Sequence, residues 1–434
     1  MLPEPTTTFR DPIHSYIPVY DWEKAIIDTP AFQRLRGIRQ LGLTSFIYHG
    51  AEHSRFGHSL GVMHLAGRFV QRLFRDARHH GLIKERYGWT EGELEREIDR
   101  LVIEARLAGL LHDIGHSPFS HTGEHRLFPE GKRHEDYSNK LILSNHIGHI
   151  IDELKNDYDV DRHRVASIVN ETGIYEVGVI KELISSVWDV DKMDYLLRDS
   201  HYCGVQYGRF DLARILDTVT LYDEDPDEAL RLGIDDGGIH AIEGFVLARY
   251  FMFTQVYFHK TRRAYDFLLT DFIGELLKEE TGEDHYPSSL DEYLRWTDWS
   301  VLHQAVESSD QDNKNLAWRL TARQHPKPVF ESGDHADSGT VNRAVNRLES
   351  RVNEQFLEVA TWTDQASDHP EKFRTGGNPL YIRNKSGQWQ SLIGQSRPLS
   401  GLEEIRQFRL YADVRGDAAL ESEIERFCLQ AMLE

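Results

Sequence analysis

The chain has 434 residues, 40% of them apolar, with 20 Phe and 18 Tyr, enough for two or three domains around a large core. Its 50 Lys and Arg against 71 Asp and Glu leave a formal charge of −21, which excludes an extensive nucleic-acid-binding face but not a local basic pocket for a small anion. Cys203 and Cys428 stand far apart, and neither a basic-then-apolar leader over residues 1–10 nor a membrane-length apolar run is present, so a cytoplasmic protein without disulfides or a membrane span is expected.

Residues 9–20 read as a short extended lead-in punctuated by proline. Two helices follow, over 21–28 and 30–41, because Asp21 and Thr29 are N-cap types and Pro30 suits a first helical position. The second carries Arg34, Arg36, Arg39 and Gln40 and is locally basic. A long helix then spans 54–79, with His58, Val62, Leu65, Phe69 and Leu73 on one apolar stripe. Thr90-Glu-Gly-Glu93 has the form of a capping box, and the helix it starts has a stripe of Leu94, Ile98, Leu101, Ala105, Ala108 and His112. His112 thus extends a buried face, Asp113 follows it, and Ala105, Ala108 and Gly109 permit close helix packing nearby.

Further helices are expected from His134, over 141–154, 165–169 and 179–187, and then over 187–199, which brings Asp189, Asp191, Lys192 and Asp194 together. Residues 210–219 form another helix. Arg231 to Ile234, Asp-Asp-Gly-Gly and Ile239 read as a β-hairpin. Helical pattern dominates 241–277 and 290–322, and composition shifts at His325-Pro-Lys-Pro328. Beyond it, a helix over 341–354, strands over 356–362, 379–383, 389–393 and 405–413, and a last helix over 420–432 describe a small α+β appendage. The fold is therefore expected to be mainly α, with a helical unit over 1–325 and an α+β region over 326–434.

Imidazole nitrogen and carboxylate oxygen suit a divalent transition ion. His58 and His112 on apolar stripes, Asp113 beside one of them and the distant Asp191 make a plausible set of two nitrogens and two oxygens. Taken singly, His58 would be a satisfied core histidine and Asp191 a helix cap. The flanking sequence as a set favours the ligand reading.

Arg55-Phe-Gly-His-Ser-Leu-Gly61, Leu111-His-Asp-Ile-Gly-His-Ser-Pro-Phe-Ser-His121, His134-Glu135 and Asp189-Val-Asp-Lys-Met-Asp-Tyr195 closely resemble the HD-domain phosphohydrolases, and within them the deoxynucleoside triphosphate triphosphohydrolases. The likeness runs from Phe9 to about Phe272 and more weakly to about Arg323. It implies an all-helical core and a single divalent ion (Mn, Fe, Zn or Ni) on His58, His112, Asp113 and Asp191, with Mg a companion of the triphosphate. It also implies that His121, His116, His134 and Glu124 surround the scissile phosphate, one imidazole serving as general acid or base. Relatives commonly place Asp where this chain has Glu124.

For the substrate, the resemblance and local charge nominate Arg55, Lys192, Arg249, His259 and Lys260 for phosphates. Tyr195, Asp199 and Tyr257 fall to the sugar, with Gln40 and Leu41 beside it. A Tyr against the ribose 2′ carbon would exclude ribonucleotides by clash. Phe258 stands where some relatives carry a sugar-reading Gln. The expected activity is cleavage of a deoxynucleoside triphosphate to nucleoside and triphosphate, in a dimer or tetramer. The alternatives are hydrolysis of another nucleotide phosphoester, such as a nucleoside monophosphate or signalling nucleotide, and nucleotide binding without turnover.

Overall fold

The computed structural model describes residues 2–170, 175–223, 229–312, 315–368 and 380–433. With 57% of the described residues helical and only small sheets among them, the fold is mainly α, as the periodicities indicate. No described helix is long and apolar enough to cross a membrane.

The lead-in is a two-stranded antiparallel hairpin, Thr7–Asp11 against Ser15–Val19. The helix Asp21–Ile27 follows, with Glu23 accepting from the Tyr20 backbone N–H at 3.0 Å. Thr29 caps Pro30–Gln33 as its residue type predicts, but the helix expected over 30–41 ends early, in a 3₁₀ turn over Arg34–Gly37. Tertiary contacts override the local pattern there. Gly37 abuts the Trp299 ring, Ile38 is extended, and Arg39 forms a β-bridge with Ser54.

Two long helices form the core. The first, Arg55–Phe74, stops five residues before the expected His79, and a separate helix spans His80–Tyr87. The stop is local: the Asp76 carboxylate accepts from the Arg78 backbone N–H at 3.0 Å and from Arg72 at 2.6 Å, giving the backbone a turn in place of a helical ladder. The second, Glu91–Leu111, begins with the predicted capping box, the Thr90 N–H donating to Glu93 at 2.9 Å. A Cβ on Gly109 would lie 3.0 Å from the Val62 carbonyl oxygen, so the two backbones touch at this small residue. The helices run antiparallel, so His58, one turn before Val62, and His112, one turn after Gly109, come together on the same side of that crossing.

The expected helix over 141–154 is instead the end of His134–Leu143 followed by the short Gly148–Asp152. Arg162–Val169, Gly178–Ile184 and Val190–Cys203 complete the core, the last capped by Asp189, which accepts from the Lys192 N–H at 2.8 Å. The helix expected over 210–219 is Leu212–Thr218 and leads directly into a strand, Val219–Tyr222. The expected hairpin around Asp-Asp-Gly-Gly is absent. Arg231–Asp235 pairs backwards with Val219–Tyr222 and, in parallel, with Tyr381–Arg383. Asp236–Gly238 turns into the helix Ile239–Met252, where a Cβ on Gly238 would strike Thr218 Oγ1 at 2.2 Å. The glycine there serves a close approach, not a hairpin turn.

A π-helical turn, Phe253–Tyr257, separates Ile239–Met252 from Lys260–Thr281. Asp298–Glu307 and Leu316–Thr321 pack against the latter. Beyond 326, Ile405–Ala412 is the centre of a three-stranded sheet between Lys327–Glu331 and Thr361–Asp368. Ser338–Gln355 and Ala418–Leu433 cover it through Leu348, Val352, Ile424 and Cys428. The strand expected over 356–362 starts at Thr361, because Phe356 turns inward against Phe427. That expected over 379–383 is Tyr381–Arg383, with Pro379 outside the described residues, and that over 389–393 ends at Ser391, where a helical turn begins.

Candidate active site

The crossing at Gly109 turns the rings of His58 and His112 towards one another, with centroids 5.2 Å apart and planes at 75°. Asp191, on the first turn of Val190–Cys203, brings its Oδ1 to 2.9 Å from His58 Nε2 and 3.6 Å from His112 Nε2. Asp113 lies 3.5 Å from His58 Nε2 through one oxygen and 3.4 Å from His112 Nε2 through the other. Each imidazole's Nδ1 faces an acceptor, Asp194 at 2.8 Å for His58 and the Gly109 carbonyl at 2.8 Å for His112. A carboxylate and a carbonyl can only accept, so each Nδ1 carries the proton and each Nε2 presents a lone pair. Both Nε2 atoms are buried without a hydrogen-bond partner. Orphaned nitrogens facing carboxylates fit a divalent transition ion.

The electrostatics agree with that fit. Burial opposes a charge on His58, yet the carboxylates of Asp191 and Asp194 on its two sides push its pKa up to about 10: the pocket favours a positive charge at Nε2, which a proton or a metal ion can supply. Burial also opposes ionisation of Asp113, but Arg55, His112 and His116 hold it well below the usual carboxylate range. The cage calls for a cation at its centre.

His116, His121 and His134 form a second cluster beside the first, joined to it where His116 Nε2 lies 3.3 Å from Asp113 Oδ1. His116 stacks on His134 with centroids 3.7 Å apart, and burial holds its pKa well below the ordinary value, aided by the charges of Arg55 and His134. Glu124 bridges the other two rings. One oxygen accepts from His121 Nδ1 at 2.9 Å, and the other accepts from His134 Nδ1 and from the His134 backbone N–H at 3.2 Å. Burial works against the Glu124 charge, but the hydrogen bonds from His121 and His134 outweigh it and keep the carboxyl well below its usual range. His121 is 58% exposed, which leaves its Nε2 edge accessible.

The loop carrying these groups is held from behind. Gly115 donates to Ser138 Oγ at 2.9 Å, that hydroxyl donates to the His112 carbonyl at 2.7 Å, and Tyr293 donates to the Gly115 carbonyl at 2.6 Å. Phe119 and Ser120 adopt left-handed φ of 58° and 63°. The buried Asp298 stabilises that bend, accepting from the Phe119 N–H at 2.7 Å and the Arg39 N–H at 2.9 Å. Arg55 ion-pairs with Asp113 and donates to Ser120 Oγ at 2.7 Å, linking the loop to the first core helix.

One cavity of about 220 Å³ joins both clusters, lined by Gln40, Arg55, Tyr195, His112, Asp113, His116, His121, His134 and Asp191. Glu135, Val169, Ile184 and Ser185 complete its wall. Sequence reasoning singled out none of these four for the site; only the motif His134-Glu135 touched one of them. Leu41 neighbours Gln40 but lies outside the lining. Asp199 and Tyr257 form a layer behind Tyr195: Tyr257 donates to Asp199 at 2.8 Å, and the Tyr195 and Tyr257 rings lie 6.1 Å apart. His53, also unforeseen, holds the other Asp199 oxygen at 2.8 Å.

Other expected contacts lie outside the cavity lining. Lys192 donates to Asp189 at 2.8 Å, and Arg249 ion-pairs with Asp368 beneath the Phe253 ring while sitting beside Tyr195 of the cavity wall. His259 and Lys260 line a different cavity of about 600 Å³, with His49, Arg323 and Lys327. Phe258 is buried against Ala366 and Ile405.

Residues 55–199 match the HD domain and residues 210–362 match the HD associated region. The Bacillus subtilis protein YwfO is 31% identical over 92% of this chain and 90% of its own length. The Gallus gallus deoxynucleoside triphosphate triphosphohydrolase SAMHD1 is 36% identical over 48% of this chain, which spans 36% of that protein. A crystal structure of a hypothetical protein from Aquifex aeolicus superposes with a TM-score of 0.75 at 28% identity, covering 99% of this chain and all of that one. With the two histidine clusters in one cavity, these matches establish that the chain belongs to the HD-domain phosphohydrolase family, its HD domain followed by an HD-associated region.

Proposed function

We propose that the protein hydrolyses deoxynucleoside triphosphates to the deoxynucleoside and inorganic triphosphate, in a metal-dependent reaction in the cytoplasm. The observation that carries the reading is the cavity that His112, Asp113 and Asp191, backed by the buried His58, share with the Glu124-bridged pair His121 and His134. Phosphoryl transfer asks for charge neutralisation on one side of the phosphorus and a proton for the leaving oxygen on the other. His58, His112, Asp113 and Asp191 would hold the ion, which when bound supplies Lewis acidity at a phosphoryl oxygen. Arg55 lines the cavity and adds a fixed positive charge beside the phosphates. His121, its Nδ1–H taken by Glu124, would carry a second proton on Nε2 and pass it to the departing 5′ oxygen; loss of solvation and the nearby Arg55 charge lower its pKa, and Glu124 is the group that orients the ring and favours its charged form. His134 shares the same carboxylate, and His116 braces it by stacking.

The deoxynucleotide class draws support from the similarity to SAMHD1 and from Tyr195 in the cavity wall, a flat ring suited to the 2′ face of a deoxyribose. Asp199 and Tyr257 fix that ring from behind. Lys192, Arg249, His259 and Lys260 fall away as direct phosphate ligands on this reading. Assembly into a dimer or tetramer is part of the proposal, and light scattering on the purified protein checks it.

The test is product identification. Protein loaded with Mn²⁺ and given each of the four deoxynucleoside triphosphates should release inorganic triphosphate. Release of orthophosphate or pyrophosphate instead would reassign the protein to another phosphoester reaction, and binding without turnover would make it a nucleotide sensor. His112→Ala should lose bound metal and activity together, and full metal content in that variant would refute the ligand assignment.

A further inference from the structure

We propose that Asp194, joined to His14 at the tip of the N-terminal hairpin, is the positioning residue that fixes His58 as a metal ligand, so that the hairpin is part of the metal centre; this rests on the reading of His58 as a ligand.

Asp194 is completely buried and makes four hydrogen bonds. Its Oδ2 accepts from His58 Nδ1 at 2.8 Å and from Arg198 Nε at 2.8 Å. Its Oδ1 faces His14 Nε2 at 2.6 Å and accepts from the Arg198 guanidinium at 2.9 Å. Arg198 also donates to Asp11 at 2.9 Å, and Asp11 accepts from the backbone N–H groups of Ile13 and His14 at 2.8 and 2.9 Å, which shapes the hairpin tip. One unbroken chain of contacts thus runs from the tip through Asp194 to the imidazole.

The direction of these bonds gives the chain its function. Asp194 offers only acceptors, so it places the proton on His58 Nδ1 and leaves Nε2 directed at the carboxylates of Asp191 and Asp113. An ion pair with Arg198 alone would occupy one side of the carboxylate. The remaining lone pairs are taken by two imidazoles from elements far apart in sequence. The first core helix is hollowed to admit the group: a Cβ on Gly61 would stand 1.8 Å from Asp194 Oδ1 and 2.6 Å from the Arg198 guanidinium. Among the groups linked by these contacts (His14, Asp11, Arg198, Asp194 and His58), His58 is the one that reaches the proposed metal position, so a displacement of His14 or Asp194 is transmitted through the orientation of a single ring.

The experiment measures metal affinity by competition with a chromophoric chelator, the visible absorption of Co²⁺-loaded protein, and the melting of metal-free protein. Asp194→Asn, His14→Ala and His14→Gln are compared with the wild type. Asp194→Asn should weaken Mn²⁺ and Co²⁺ binding by about 10–100-fold and alter the Co²⁺ spectrum. His14→Ala should weaken binding in the same direction, and His14→Gln should restore it, because the amide N–H can still donate to Asp194. If Asp194→Asn fails to fold, the two His14 variants decide the matter on their own. Variants that melt earlier when metal-free, yet keep wild-type affinity and an unchanged Co²⁺ spectrum, would reduce the network to scaffolding and overturn the proposal. A wild type that takes up no divalent ion would overturn the metal centre itself, and the coupling with it.

Discussion

Replacing Glu124 by Gln tests the proton-transfer half of the site. The carboxylate is ionised across neutral pH, since the hydrogen bonds of His121 and His134 overcome the burial that opposes its charge, so the change removes a full negative charge at constant shape. It also breaks the symmetry of the bridge. The amide oxygen can accept from one Nδ1, but its NH₂ must then face the other, which turns that ring into an acceptor and moves its proton to the far nitrogen. A correctly placed general acid contributes about 10²–10⁴-fold, and each factor of ten is about 1.4 kcal/mol, so the barrier should rise by roughly 3–5 kcal/mol. The loss should fall on kcat, because Glu124 lies behind the cavity wall and acts through the two rings it holds, His121 and His134. The fall of activity at high pH should also move to lower pH, since a carboxylate beside His121 favours the protonated ring and an amide does not. Initial rates of triphosphate release across pH, with metal content measured in parallel, decide it. A kcat within about threefold of wild type at full metal occupancy would refute the assignment of His121 as the acid.

Gly115→Ala should destabilise the fold by at least about 2 kcal/mol, because the new methyl would stand 2.2 Å from the Ser138 nitrogen and 2.3 Å from the His134 carbonyl oxygen, neither of which can move aside. Denaturant unfolding measures this, and a neutral result would refute the close approach of these two segments. Asp298→Ala strands the buried N–H groups of Arg39 and Phe119 at about 1–3 kcal/mol each, and should raise KM by loosening Gln40 and Ser120. Unchanged melting and KM would show that the bend at Phe119 and Ser120 holds without it. Tyr195→Ala should narrow the preference for deoxyribonucleotides over ribonucleotides by about tenfold, judged from the ratio of kcat/KM values. A preserved ratio would remove Tyr195 from sugar selection.

Most of the candidate metal centre was legible in the sequence because its proposed ligands lie on regular local structure. His58 and His112 continue apolar stripes whose helical spacing survives any tertiary arrangement, and Asp191 follows a helix cap that forms from its own neighbours. Glu124 was named only through the resemblance to the family, and its bridge to His121 and His134 is a tertiary arrangement. Helix ends were less so: the break after Phe74 depends on Asp76, but the early stop at Gly37 depends on Trp299, which no local pattern reveals. The paired strands Val219–Tyr222 and Arg231–Asp235 exchanged the expected hairpin partner for one upstream, because strand pairing is decided by the whole sheet.

Residue types and their spacing therefore determined the helical class and the candidate set His58, His112, Asp113 and Asp191, while the group of His116, His121, His134 and Glu124 came from the likeness of the motifs to the family. Tertiary structure decided which distant residues meet. It set Asp194 between His58 and His14, 180 residues away, and lined the cavity with Val169, Ile184 and Ser185. It also sent His259 and Lys260 to a different cavity. The physical reason is range: caps and stripes depend on neighbours within a few turns, whereas a side chain's final partner depends on the path of the chain between the two.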